Sequence, residues 1–184
     1  MSKHKMNVWM MSAALVMTGV LGTSPAIRAA DVSDSEQVSK LLSETKTIAF
    51  QLKEDAESME SYTRSNASWE SHVVAINQIK EHVNALGRQA MKLKDAKNAA
   101  SPWQKTAIER IYPFLDELSG YTSAVIEHVN KHPKLLTTAE YKDYLEANAD
   151  YAGDLAAMIG DFVDYGRTKQ RLQSLTDKLE IPAR

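Results

Sequence analysis

Apolar residues recur three or four positions apart through four long stretches of this chain, and that period constrains its fold more than any other feature. Val38, Leu41, Thr45, Ile48, Leu52, Met59 and Tyr62 mark one helical face, with a turn skipped at Asp55. Trp69, His72, Ile76, Ile79, Val83, Leu86, Ala90 and Leu93 mark a second. Ile108, Ile111, Leu115, Leu118, Thr122, Val125 and Val129 mark a third. Tyr141, Tyr144, Leu145, Tyr151, Leu155, Met158, Phe162, Tyr165, Leu172, Leu175 and Leu179 mark a fourth. No stretch alternates with period two, so the expected fold class is all-α.

Capping chemistry sets the boundaries. Ser33 followed by Glu36, Ser101 followed by Gln104, and Thr137 followed by Glu140 each read as a reciprocal capping box. Pro102 after Ser101 suits the first helical position. The expected helices cover about 34–64, 67–97, 102–132 and 138–179. Pro113 inside the third cannot donate to the carbonyl of Glu109, which predicts a kink. Connections of a few residues force neighbours antiparallel. The sequence therefore predicts an up-down-up-down four-helix bundle of long helices with coiled-coil-like seams. Polar seam residues such as Asn148 and Lys169 read as register markers.

Ahead of the bundle, Lys3, His4 and Lys5 precede an apolar run from Met6 to Gly22, then the small residues around Ala26 and Ala29. This is the pattern of a secretory signal peptide over residues 1–30, cleaved between 26 and 30, with residues 31–184 as one domain. The expected location is periplasmic or secreted. An uncleaved anchor is the alternative, and the one route to a membrane considered from the sequence. Loss of Lys3, Lys5 and Arg28 leaves 19 bases against 24 acids, a net charge of −5. That balance does not suit nucleic-acid binding. With no cysteine, the chain forms no disulfide, thiolate metal site or covalent haem.

Three constellations carry possible chemistry. First, His72, His128 and His132 fall at the same end of the predicted bundle, the last two at i,i+4 spacing, and form a candidate metal site. No Glu-x-x-His pair accompanies them, so the di-iron pattern of ferritin-like bundles is missing. Second, Ala149, Gly153, Ala156, Ala157 and Gly160 share a face of helix four that points outward if Leu155 and Phe162 point inward. Small residues admit a second helix, so this face is the candidate for self-association or a protein partner. Third, acids gather at the histidine end, including Glu54, Asp55, Glu57 and Glu60 at the C-terminal end of helix one, where the helix dipole disfavours them. Bases, including Arg88, Lys92, Arg167 and Lys169, gather at the opposite end. The helix-four tyrosines with Trp69 and Trp103 read as core rings whose polar tips reach solvent or a carbonyl.

Known exported bundles do not fit these motifs. Bundle cytochromes that bind haem through an N-terminal Met and a last-helix His need a histidine that helix four lacks. The repeated Leu-Thr-x-x-Gln of exported stress chaperones is reduced to Leu136-Thr137-Thr138-Ala139-Glu140, a helix cap. No nucleophilic triad, phosphate loop or paired carboxylate is present, so the expectation is a non-enzymatic binding or structural protein without a cofactor. The alternative is a metal- or small-ligand-binding bundle using the histidine end.

Overall fold

A computed structural model describes residues 33–180, and the expected leader with its cleavage site lies outside them. Four long helices form: α1 (Glu36–Ser65), α2 (Trp69–Ala96), α3 (Pro102–Lys131) and α4 (Ala139–Lys178). A short 3-10 turn, Lys97–Ala99, joins α2 to α3. No strand occurs among the described residues. α3 runs unbroken through Pro113. The preceding Tyr112 donates its hydroxyl to the Ala90 carbonyl of α2 at 2.7 Å.

Each helix packs against two others, α1 and α3 both lying against α2 and α4. Residue numbers rise along one helix as they fall along its neighbour. Tyr62 meets His72 near one end of the α1–α2 contact, and Glu44 meets Gln89 toward the other. Between α3 and α4, His128 meets Tyr141, Thr122 meets Asn148, and Trp103 meets Tyr165.

The buried residues of α1 are Val38, Leu42, Thr45, Ala49, Leu52, Ala56 and Met59, alternating four and three apart. Leu42 and Ala49 take the centre that the sequence pattern gave to Leu41 and Ile48, which are half-buried. Ala56 fills the turn thought to be skipped. The α3 seam is as expected, extended by Ala107 and two polar residues, Gln104 and His128. Asn148 is buried and donates to Thr122 at 3.0 Å, a polar pair inside the seam.

Helix four departs furthest from its sequence pattern. Its seam is Tyr141, Leu145, Asn148, Ala152, Leu155, Ile159 and Val163. Leu172, Leu175 and Leu179 do not continue it and stand exposed. Leu172 follows Val163 by nine positions, a rotation of about 180° at ~100° per residue. α4 has 40 residues where the other long helices have 28 to 30. Its last turns therefore carry their apolar residues on the side away from the seam.

Two caps also differ, and the first is Thr138, not Thr137, at the start of α4, its hydroxyl accepting from Tyr141 N. Ser35, not Ser33, caps α1, its hydroxyl accepting from Val38 N. In a capping box the third helical residue would return the favour to the cap's own N–H. Val38 cannot, and Gln104 of α3 does so instead: Ser35 N donates to Gln104 Oε1 at 3.0 Å. The same oxygen accepts from Ser101 N, and Gln104 Nε2 donates to Ser35 O and Ser39 Oγ. One fully buried amide thus caps two helices.

Candidate functional site

The structure brings His72 and His128 together around Tyr141. His72 Nδ1 lies 2.8 Å from the Tyr141 hydroxyl, and the Tyr141 ring stacks on His128 with centroids 4.7 Å apart. Tyr62 of α1 meets the His72 ring edge-on at 5.3 Å, so side chains from all four helices close this end. Desolvation raises the Tyr141 phenol and lowers the His72 imidazole. His128 Nε2 donates to the Leu135 carbonyl at 3.1 Å and so pins the α3–α4 connection. His132 terminates α3 with its ring 5.3 Å from that of His128.

Of the three histidines expected to form a metal site, His72 and His128 meet through Tyr141, and His132 lies beside His128. One nitrogen of His72 faces a phenol and one of His128 faces a carbonyl, so each ring helps to hold helices together. No group of three or more His, Cys, Asp or Glu among the described residues is placed to hold a metal ion. Three of the four helix-one acids at this end have a basic side chain beside them: Asp55 faces His82 at 2.8 Å, Glu57 lies 3.6 Å from Lys53, and Glu60 pairs with Arg64.

The small-residue face does not point outward as expected. Ala156 and Gly160 are buried, Ala149 and Gly153 are half-buried, and only Ala157 is exposed. Gly160 faces α1, where an added Cβ would lie 3.7 Å from the Phe50 ring and 3.8 Å from Lys46 Cε. Lys46 reaches past it to Asp164 at 3.1 Å. The small residues let α1 approach α4 within the same chain. The misassignment follows from placing Phe162 at the centre of the seam, when Ile159 and Val163 occupy it.

On the other flank of α4 lies an open groove of about 610 Å³ against α3. Trp103, Phe114, Met158, Phe162 and Tyr165 supply its apolar wall, with Arg110, Asp154 and Asp161 at its rim. Two contacts fix the wall. Trp103 packs edge-on to Tyr165 at 5.4 Å, and the Arg110 guanidinium sits 5.8 Å over the Phe162 ring. Trp103 is itself held by its indole N–H, which donates to Asp34 Oδ1 at 2.7 Å. Lys169 lies 3.1 Å from the same oxygen. Burial alone would raise the Asp34 carboxyl, but hydrogen bonds from Ser101, Trp103 and Lys169 with the Lys169 charge hold it below its ordinary value.

No family model, curated protein or solved structure matches this chain.

The groove was not legible as a site in the sequence. Its rings share helical spacing with core residues, and half-exposure of Trp103 and Phe162 depends on how α3 sits against α4. Trp69 follows the expected rule instead, its indole N–H donating to the Val129 carbonyl at 3.1 Å while the ring stays partly exposed.

Proposed function

We propose that this chain is an exported, non-enzymatic binding protein, built as an antiparallel up-down-up-down bundle whose ligand seat is the α3–α4 groove. The observation that carries the reading is the groove's lining. Rings that would complete the core of a closed bundle stand half-open, braced by neighbours rather than covered by them. An apolar wall with a few charged groups at its edge is the usual composition of a small-molecule seat. The leader-like N-terminus supports export, and the hydrogen-bonded commitments of His72 and His128 favour binding over catalysis.

The occupant we infer is a small organic cation with an aromatic or aliphatic body. Aromatic faces attract cations, and Asp154 and Asp161, one heptad apart on α4, put two carboxylates on the rim against one Arg110 that already covers Phe162.

Isothermal titration with benzyltrimethylammonium, and with phenylacetate as the anion of similar size, tests this. The cation should bind and the anion should not, and Asp154→Asn with Asp161→Asn should weaken the cation about tenfold. Binding of neither compound, or of phenylacetate alone, overturns the assignment. Trp103→Ala should abolish binding without changing the helical circular dichroism.

A further inference from the structure

We propose that the projecting end of α4 is a contact surface for an anionic lipid bilayer, separate from the groove and independent of whether the leader is removed. Leu172, Leu175 and Leu179 are 65 %, 46 % and 61 % exposed and occupy one face. Nothing in the fold calls for apolar residues there, because the seam side of the same turns carries Gln170, Gln173 and Asp177. Gln173 and Asp177 bond each other along that polar side at 2.8 Å.

Charge selects the occupant. Arg167, Arg171 and Lys178 lie along one flank of the leucine face at four- and seven-residue spacing, all exposed. Arg167 lies 3.7 Å from Asp164, a loose surface pair that leaves its charge available to a dense anionic array. Apolar residues on one side with lysine and arginine beside them describe a helix that lies in a membrane interface. The described helices are not long and apolar enough to cross a membrane, so the contact is peripheral.

A second copy of the chain fits less well. Two leucine faces packed antiparallel would set Arg171 against Lys178, and packed parallel would gain no acid opposite Arg171. Three leucines over two turns are also short of the three to four heptads a coiled coil sustains.

The test reads the tail itself, so that the apolar run Met6–Gly22 cannot supply the signal. The chain has no cysteine. Thr168→Cys therefore gives a unique attachment point for an environment-sensitive fluorophore beside the leucines, with Glu81→Cys on α2 as the distant control. Vesicles of phosphatidylcholine with about a third phosphatidylglycerol should shift the Thr168→Cys label to the blue and leave the Glu81→Cys label unchanged. Pure phosphatidylcholine should shift neither. Each base near an anionic surface contributes several-fold to affinity, so Arg167→Gln with Arg171→Gln and Lys178→Gln should weaken the response about a hundredfold. Leu172→Gln with Leu175→Gln and Leu179→Gln should abolish it while the circular dichroism stays that of the parent. A Thr168→Cys label that keeps its aqueous emission on anionic vesicles overturns the proposal. So does a shift that grows with protein concentration in the absence of lipid, which would mean a second copy.

Discussion

Gln104 and Ser35, 69 positions apart, exchange two hydrogen bonds: the Ser35 amide donates to the Gln104 oxygen at 3.0 Å, and the Gln104 nitrogen returns one to the Ser35 carbonyl at 2.9 Å. This is a helix cap supplied by another helix, and it ties the starts of α1 and α3 without a covalent bond. Gln104→Met preserves the volume and removes every one of these bonds, leaving the Ser35 and Ser101 amides without their partner. The expected cost is about 2–4 kcal/mol, read from urea unfolding. Ser39→Ala deletes only one bond and should cost about 1 kcal/mol. Equal midpoints for Gln104→Met and the parent would refute the clasp.

Gly166 marks the closest approach of α4 to the Trp103 ring. A Cβ there would fall 2.7 Å from one indole carbon and 3.0 Å from another. Gly166→Ala must push the ring away, weakening its bond to Asp34 and reshaping the groove wall. Despite the better helix propensity of alanine, the net effect should be a loss of about 1–3 kcal/mol. Trp103 emission should shift to the red in the same variant. A stabilised Gly166→Ala would show that the contact relaxes freely.

Other glycines should behave in the opposite way. An added Cβ at Gly120 or Gly153 meets nothing within 4 Å. Alanine at either should raise stability by up to about 1 kcal/mol, because a mid-helix glycine is penalised through backbone entropy. Leucine separates the two helix-four glycines: Gly153→Leu should be tolerated, and Gly160→Leu should lower the thermal midpoint by driving into Phe50 and Lys46 of α1. Loss of stability in Gly153→Ala would contradict the space seen there.

Acid should weaken the ring-closed end through His72. Burial lowers its folded pKa below the ordinary 6.5, so the unfolded chain takes up a proton that the folded chain refuses. Stability is then complete above about pH 6.5 and falls as pH drops toward the folded value. His72→Gln can still hydrogen-bond Tyr141 but does not titrate. Its thermal midpoint should fall less steeply than the parent's between pH 8 and 5, and identical slopes would remove His72 as the source.

Helix number, helix ends and the α3 seam were readable because period and caps are local properties. Ser101 starts α3 with the short-range chemistry expected of it, whereas Ser68 went unnamed and the cap given to Thr137 falls on its neighbour Thr138. The failures share a different cause. Leu41 and Leu42 are adjacent and equally apolar, so rotation of α1 is decided by Ala49 and Ala56, residues too small to stand out. In α4, Phe162 and the three terminal leucines outweighed Ile159 and Val163 in the pattern, which turned the small residues outward and concealed the exposed tail. The histidines were correctly gathered at one end, but their roles depended on Tyr141, whose hydroxyl no spacing rule assigns. Ser35 escaped because its reciprocal partner lies on another helix.

The two ends of the helix bundle are closed by different kinds of contact. Around Tyr141 the closure is mainly faces and edges of rings, which tolerate sliding. At Gln104 it is a set of directed bonds, which break or hold. Breathing of the native state should therefore start at the ring-closed end. Amide protons of the last turn of α3 and the first turns of α2 and α4 should exchange with deuterium sooner than those beside Ser35 and Ser101, which should open only when the whole molecule does.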